Sequence, residues 1–237
     1  SILLSTDDVI KEKYFSKGLS DTGLKPEHMN TILQLYEKYF SFITSSVDKR
    51  MLCDISLFDH SKITAALASC ISLYLESQNR MDFRTELFEN TAAFCSEKVF
   101  MLLSIDISGI QQFIYTISSK GALKGLRARS FYLELLLENI IDEVLEGCGL
   151  SRANLLYSGG GHAYFLLPNT GEALGTVRNT LQAANRFLLK RFGTALFAAY
   201  GYQPCTAKEL MSETDNPEDY LEIFRSVSSK ISEMKLR

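Results

Sequence analysis

Two short apolar runs, Ala153 to Tyr157 (ANLLY) and His162 to Leu167 (HAYFLL), are separated by Ser158-Gly159-Gly160-Gly161. Runs of strand length on either side of a glycine-rich turn spell an antiparallel hairpin. The flanking segments constrain the rest. Upstream, Val99 to Ile107 (VFMLLSIDI) is a short apolar run carrying one acid, the pattern of a core strand. Gly109 opens a helical stretch through Ile117. From about Leu123, the spacing of Leu133, Leu136, Leu137, Ile140, Ile141 and Val144 marks a long amphipathic helix, stopped by Gly147 and Gly149. Downstream, Asn169 or Thr170 caps a helix to about Phe192, with Ala173, Val177, Leu181, Ala184 and Leu188 on one face. Ala195 to Tyr202 (ALFAAYGY) is a last strand, and Asn216-Pro217 opens a trailing helix with Tyr220, Ile223, Phe224, Val227 and Ile231. Two βα crossovers around a central hairpin predict a ferredoxin-like βαββαβ sandwich, four antiparallel strands with helices on one face.

Residues 1–97 read differently. Pro26 fits a helix start, and Ile32, Leu35, Tyr36, Tyr39, Phe40 and Ile43 follow at helical spacing, as do Ile63, Ala66, Leu67, Cys70, Ile71 and Tyr74 in Ser61 to Leu75. No glycine lies between Gly23 and Gly109. The expected fold class is α+β: a helical N-terminal domain over 1–97, then a palm-like domain with a trailing helix over 98–237. The 237 residues are 46% apolar and 22% charged, which excludes disordered and collagen-like classes. No apolar run approaches the ~18 residues of a membrane span, and the first residues lack the basic start of a signal peptide. Five scattered cysteines form no CxxC pair, the usage of a reduced, cytoplasmic protein. A net charge of −3 excludes a surface that attracts nucleic acid as a whole and leaves room for a local basic patch. The first residue is Ser, and Ile231 to Arg237 stops inside a helical pattern, so the expectation is a piece of a longer chain.

Four segments carry candidate chemistry. In Asp106-Ile107-Ser108-Gly109-Ile110-Gln111 an acid closes a buried strand and a glycine opens a helix. Backbone N–H groups there suit phosphate oxygens and the carboxylate suits a divalent metal, while the plain alternative is an Asp that caps the helix. Ser158, Gly159, Gly160 and Gly161 supply more glycine than a two-residue turn needs, and absent side chains let a ligand approach the backbone; the alternative is a flexible hairpin. In this fold the hairpin lies beside the first strand, which brings its tip towards Asp106. From Ile107 to Leu133 there is no acid, only Lys120, Lys124, Arg127 and Arg129, and the acids Glu134, Glu138, Asp142, Glu143 and Glu146 follow. That order runs against the helix dipole and points to phosphate or RNA backbone at the basic end, or to a solvated charged loop. Asp59 and His60 precede the Ser61 helix as a candidate metal pair, or with Asp59 as a cap.

The residues also carry a resemblance. Residues 51–75 (MLCDISLFDHSKITAALASCISLYL) resemble the end of the HD domain in the large subunit (Cas ten) of type III-A CRISPR effectors, the Csm complex. Residues 101–170 look closely like that subunit's first palm domain, on the segments DISGIQ, KGALKGLRARSF and YSGGGHAYFLLPN. The resemblance implies a crRNA-guided complex that recognises target RNA. It implies an HD domain that cuts single-stranded DNA, and two facing palms that polymerise ATP into cyclic oligoadenylates with a divalent metal, Mg or Mn. The family's catalytic GGDD hairpin belongs to the second palm. Here the hairpin reads Ser158 to Gly161 without carboxylates, GGDD is absent, and so is the HD dipeptide. The chain is thus expected to supply the ATP-binding, non-GGDD palm and the back part of the nuclease domain, and to be inactive by itself, with no catalytic residue assigned.

Under this resemblance Asp106, Ser108, Gly109, Ile110 and Gln111 form the phosphate-facing turn, and Ser158 to Gly161 the close-approach hairpin. Lys124, Arg127 and Arg129 are candidates for phosphate or RNA, and Asp106, Asp59 and His60 for metal. The implied partners are other Csm subunits, crRNA, target RNA and single-stranded DNA, with no membrane. The alternative is a non-catalytic scaffold module that contacts RNA and other Csm subunits. A stand-alone cyclase is disfavoured by the missing acidic hairpin.

Overall fold

The computed structural model describes residues 6–45, 55–115, 122–211 and 218–236. The readings that fall on Met51 to Asp54, Ile117, Lys120 and Asn216-Pro217 lie outside these residues. The chain divides into two compact units, 1–67 with 151–154, and 68–150 with 155–237. The division falls inside a helix.

The first unit contains α1 (Thr6–Thr22), α2 (Met29–Phe40) and the start of α3 (Leu57–Ser77). Pro26 opens a 3-10 turn that leads into α2. Phe15 packs edge-on against Tyr36 and Phe40, at 5.2 and 4.8 Å between ring centroids, and so holds α1 to α2. The Ser56 hydroxyl accepts the Asp59 N–H at 2.9 Å and donates to the Asp59 carboxylate at 2.6 Å. That cap starts α3 at Leu57, earlier than expected, and puts Asp59 and His60 inside its first turn. Asn154 donates its side-chain amide to the Ala66 carbonyl at 3.2 Å, and Asn30 accepts the Arg152 N–H at 2.8 Å. These bonds hold 152–154 as a 3-10 turn, so the strand expected from Ala153 begins only at Leu155.

In the second unit the end of α3 is followed by a π turn (Thr85–Glu89) and the short α4 (Thr91–Phe94). Arg80 ties this region together: its guanidinium bonds Glu86 and lies 2.8 Å from Glu97. Then come β1 (Phe100–Ser108), α5 (Ile110–Tyr115), α6 (Ala122–Gly147), β2 (Leu155–Gly159), β3 (His162–Pro168), α7 (Gly171–Phe192) and β4 (Phe197–Cys205). The sheet order is β2-β3-β1-β4, antiparallel throughout. This is the expected ferredoxin-like order, with β1 central. Thr170 caps α7 by accepting the Ala173 N–H at 3.1 Å.

Side-chain alternation along β1 separates two faces. Met101, Leu103, Ile105 and Ile107 join Leu137, Ile141, Val177 and Leu181 in the core under α6 and α7. Ser104 and Asp106 point the other way, Ser104 beside Tyr164 and Gly201 in register and Asp106 beside His162 and Ala199. The expected sandwich carries helices on one face only, and this is the other. It is covered by α9 (Asp219–Lys235), which follows α8 (Ala207–Leu210) and its Thr206–Glu209 capping box. Ile223, Val227 and Ile231 of α9 are buried. Tyr164 meets Phe224 at 5.9 Å between centroids, and Lys230 donates to the Tyr202 carbonyl at 2.7 Å. Gly201 permits this approach, because a Cβ there would lie 2.3 Å from the Val227 carbonyl oxygen. The α9 spacing is amphipathic in the sequence, but which surface receives it is set by the glycine gap in β4.

Candidate nucleotide site

β1 and the hairpin meet at one end of the sheet. Gly159 is still in β2, opposite His162, so only Gly160 and Gly161 form the turn. Their φ values of +61° and +88° fit a type I′ turn, which needs φ > 0 at both central positions. The Gly161 carbonyl accepts the Ile107 N–H at 2.9 Å, and a Cβ on Gly161 would lie 2.1 Å from Ile110 Cδ1. The tip is therefore stitched to the β1–α5 corner, where Gly109 (φ +88°) passes so close to Ala195 that no side chain fits. A Cβ on Gly160, by contrast, would meet nothing within 4 Å. The expected pairing of the Asp106 segment with the glycine turn is present.

A cleft of about 270 Å³ opens beside this turn. Ser158, Gly159, Gly160 and Gly161 form one wall; Ile110, Ile114, Leu133 and Leu137 line it with apolar surface, and Ser130 and Glu134 add polar groups. Ser158 donates its hydroxyl to Glu138 of α6 at 3.0 Å, which fixes the hairpin over the helix. An apolar slot with a few polar groups and an exposed backbone turn can take a flat, partly polar ligand.

Asp106 points to the other side of the hairpin. Its carboxylate is only 7% exposed and has three partners: His162 Nδ1 at 2.7 Å from Oδ1, and the Lys235 ammonium and the Ser108 hydroxyl (3.2 Å) on Oδ2. Burying a carboxylate demands such compensation. Lys235 was not read as a site residue, and no local signal marks it; it arrives from the last turn of α9. His162 was visible as the residue after the glycines, but its pairing with Asp106 depends on strand register.

Of the expected basic patch, Lys124 and Arg127 are exposed at the start of α6. Arg129 instead donates to the Phe113 carbonyl and lies 5.0 Å from the Phe113 ring centroid, clamping α5 to α6. Gln111 is exposed on α5. Asp59 and His60 lie in the first unit. Among the described residues no three His, Cys, Asp or Glu side chains gather as a metal site. Asp106 does not fit a resident divalent cation by itself either, since an ammonium already holds Oδ2 and, among the described residues, no second carboxylate completes a site with it. Among the described residues no helix is long and apolar enough to cross a membrane.

The family model for the Csm1 subunit, domain B, matches residues 99–237, which is the whole sheet, α9 and the site. The chain belongs to the Csm1 family. It is 44% identical over 218 residues to the CRISPR system single-strand-specific deoxyribonuclease Cas10/Csm1 (subtype III-A) of Streptococcus thermophilus, with 92% of this chain and 29% of that protein covered. It is 46% identical over 226 residues to the protein of the same name from Mycobacterium tuberculosis, with 92% of this chain and 28% of that protein covered. The chain thus spans less than a third of the length of these Csm1 relatives. A Csm1–Csm4 cassette crystallised in complex with one ATP superposes with a TM-score of 0.79 at 29% identity, over 98% of this chain and 30% of that one. The cassette in complex with cA4 gives 0.77 at 30% identity, over 96% and 29%.

Proposed function

We propose that this chain supplies the non-GGDD, ATP-binding palm of a Csm1 large subunit that polymerises ATP into cyclic oligoadenylates. In this reading 98–237 is the first palm domain and 1–97 is the C-terminal part of an HD-type domain. The intact subunit would work in the cytoplasm with other Csm subunits, crRNA and target RNA, and would cut single-stranded DNA. The observation that carries the reading is the glycine turn, open at Gly160, beside the cleft of about 270 Å³, in a fold shared with Csm1–Csm4 cassettes crystallised with ATP and with cA4. The turn and cleft position a nucleotide; Asp106, neutralised within the protein, leaves any divalent metal to be held elsewhere in the subunit.

The test is Gly160→Asn in the intact subunit, assembled with guide RNA and given target RNA. Asn adopts the left-handed backbone of a type I′ turn, so the fold is kept while a side chain enters the open space. Cyclic oligoadenylate synthesis should fall at least about tenfold, the loss of roughly 1.4 kcal/mol of nucleotide positioning. Target RNA binding and DNA cleavage should stay within about twofold. Unchanged synthesis would leave the glycines as a turn only. The scaffold reading would then gain, and the exposed Phe131, Leu135, Phe187 and Leu189 of α6 and α7 would be its contact surface.

A further inference from the structure

We propose that Glu134 selects the base of the nucleotide at the glycine turn, by accepting a hydrogen bond from the exocyclic amino group of adenine. The inference rests on the nucleotide reading above and adds to it the residue that tells adenine from a purine without that group. The cleft of about 270 Å³ beside the turn is walled by Ile110 and Ile114 of α5 and by Leu133 and Leu137 of α6. Among the described residues its polar side chains are Ser158 of the hairpin, Ser130 and Glu134. Aliphatic walls stabilise a flat ring and give a triphosphate no partner. A carboxylate in the same cleft also repels phosphate oxygens. The base is therefore the part of ATP that enters, and the phosphates stay outside.

Ser130 and Glu134 lie one turn apart on α6, and both are exposed. Among the described residues neither side chain is taken up by a hydrogen bond or an ion pair. Glu138, one turn further along, is different: its carboxylate already accepts the Ser158 hydroxyl at 3.0 Å. A glutamate on a helix surface is commonly stabilised by a base three or four residues away. Glu134 has Ser130, Phe131, Leu137 and Glu138 at those positions, so α6 offers it no cation. The polar groups of the cleft are not equivalent. A hydroxyl both donates and accepts, so Ser130 selects nothing by itself. The Ser158 proton is committed to Glu138. An ionised carboxylate only accepts, so the edge of the base that meets Glu134 must present an N–H. On adenine that group is the exocyclic amine. A purine with hydrogen in its place would displace water from the carboxylate and leave it facing a C–H, without a partner.

The experiment uses the intact subunit in its guide RNA complex, activated by target RNA. It is given equal concentrations of ATP and purine riboside triphosphate, which differs from ATP only in lacking the amino group. Mass spectrometry of the products reads the share of the analogue among the incorporated nucleotides. Wild type should favour ATP by about tenfold or more, the worth of a hydrogen bond to a charged group. Glu134→Ala should raise the share of the analogue at least about threefold, and Glu134→Gln, whose amide oxygen still accepts, should fall between the two. A merely structural Glu134 would lower total synthesis and leave the share where it is, because both nucleotides would lose alike. If a variant makes too little product, displacement of labelled ATP from the complex by the analogue reads the same preference, with target RNA binding as the check on assembly. A Glu134→Ala share equal to that of wild type overturns the proposal, as does a wild type that does not favour ATP. Gly160→Asn separates the two readings. If it leaves both ATP binding and synthesis unchanged, the nucleotide reading has failed. If it lowers them and Glu134→Ala leaves the share unchanged, only the role of Glu134 has failed.

Discussion

Replacing Gly201 by alanine tests whether the glycine gap in β4 is what seats α9 on the second face of the sheet. The added Cβ would lie 2.3 Å from the Val227 carbonyl oxygen and 3.1 Å from Ile231 Cγ1 and Lys230 Cβ. Two of these three neighbours are rigid to within a bond of the helix backbone, so the helix itself must retreat. Overpacking of this kind costs about 1–3 kcal/mol. Ile223, Val227 and Ile231 are buried at 4%, 0% and 5% exposure. Each contributes roughly 1.5–3 kcal/mol when fully buried, so a helix that lifts even partly loses a further fraction of that. Reduced freedom of the unfolded chain returns about 0.4–1 kcal/mol. The expected net loss is about 2–3 kcal/mol, or roughly 4–12 °C in Tm for a chain of this size. Urea unfolding of the purified chain reads it, and hydrogen exchange should show faster exchange over Asp219–Lys235. Gly175→Ala is the control. It lies inside α7 with nothing within 4 Å of the new methyl, and should stabilise by about 0.5–1 kcal/mol. A Gly201→Ala protein as stable as wild type would mean that α9 is not held by close approach, and the reasoning about the second face would fail.

Two further outcomes follow from charged and thiol groups. The hydrogen bond from Arg80 holds the Glu86 carboxyl below its ordinary value of 4.5, so the unfolded chain takes up the proton first as pH falls. That contribution is whole above about pH 4.5 and is lost as pH drops through the folded value. The Tm gap between wild type and Arg80→Met should therefore shrink between pH 7 and pH 3; a constant gap would assign Arg80 to packing alone. Burial pushes the Cys205 thiol up to about 12 and the Cys148 thiol up to about 11. Because the thiolate is the nucleophile, iodoacetamide at pH 8 should label the half-exposed Cys95 at least about tenfold faster than either of them, read by peptide mass spectrometry. Equal rates would show that the native packing around Cys205 opens readily.

The four strands, the long helices α6 and α7 and the glycine turn are legible because their signals are local. A period of two or of 3.6, a capping Thr170, and two successive glycines with φ > 0 each act within a few residues. Register follows almost as directly, since a slip by one residue would turn Met101, Leu103 and Ile105 out of the core. That much brings Asp106 to the end of β1 beside the hairpin. What the sequence does not disclose is what the carboxylate does there. Lys235 reads as an ordinary basic residue in the last turn of an amphipathic helix, where the helix dipole favours it. It becomes a partner of Asp106 only because α9 docks on the second face, and that docking depends on Gly201 leaving a gap opposite Val227. Arg129 likewise reads as a phosphate ligand until Phe113 is found beneath it. Strand and turn propensities belong to short stretches of backbone, whereas the partner of a buried charge is chosen by which distant elements pack against it, and only the tertiary structure makes that choice.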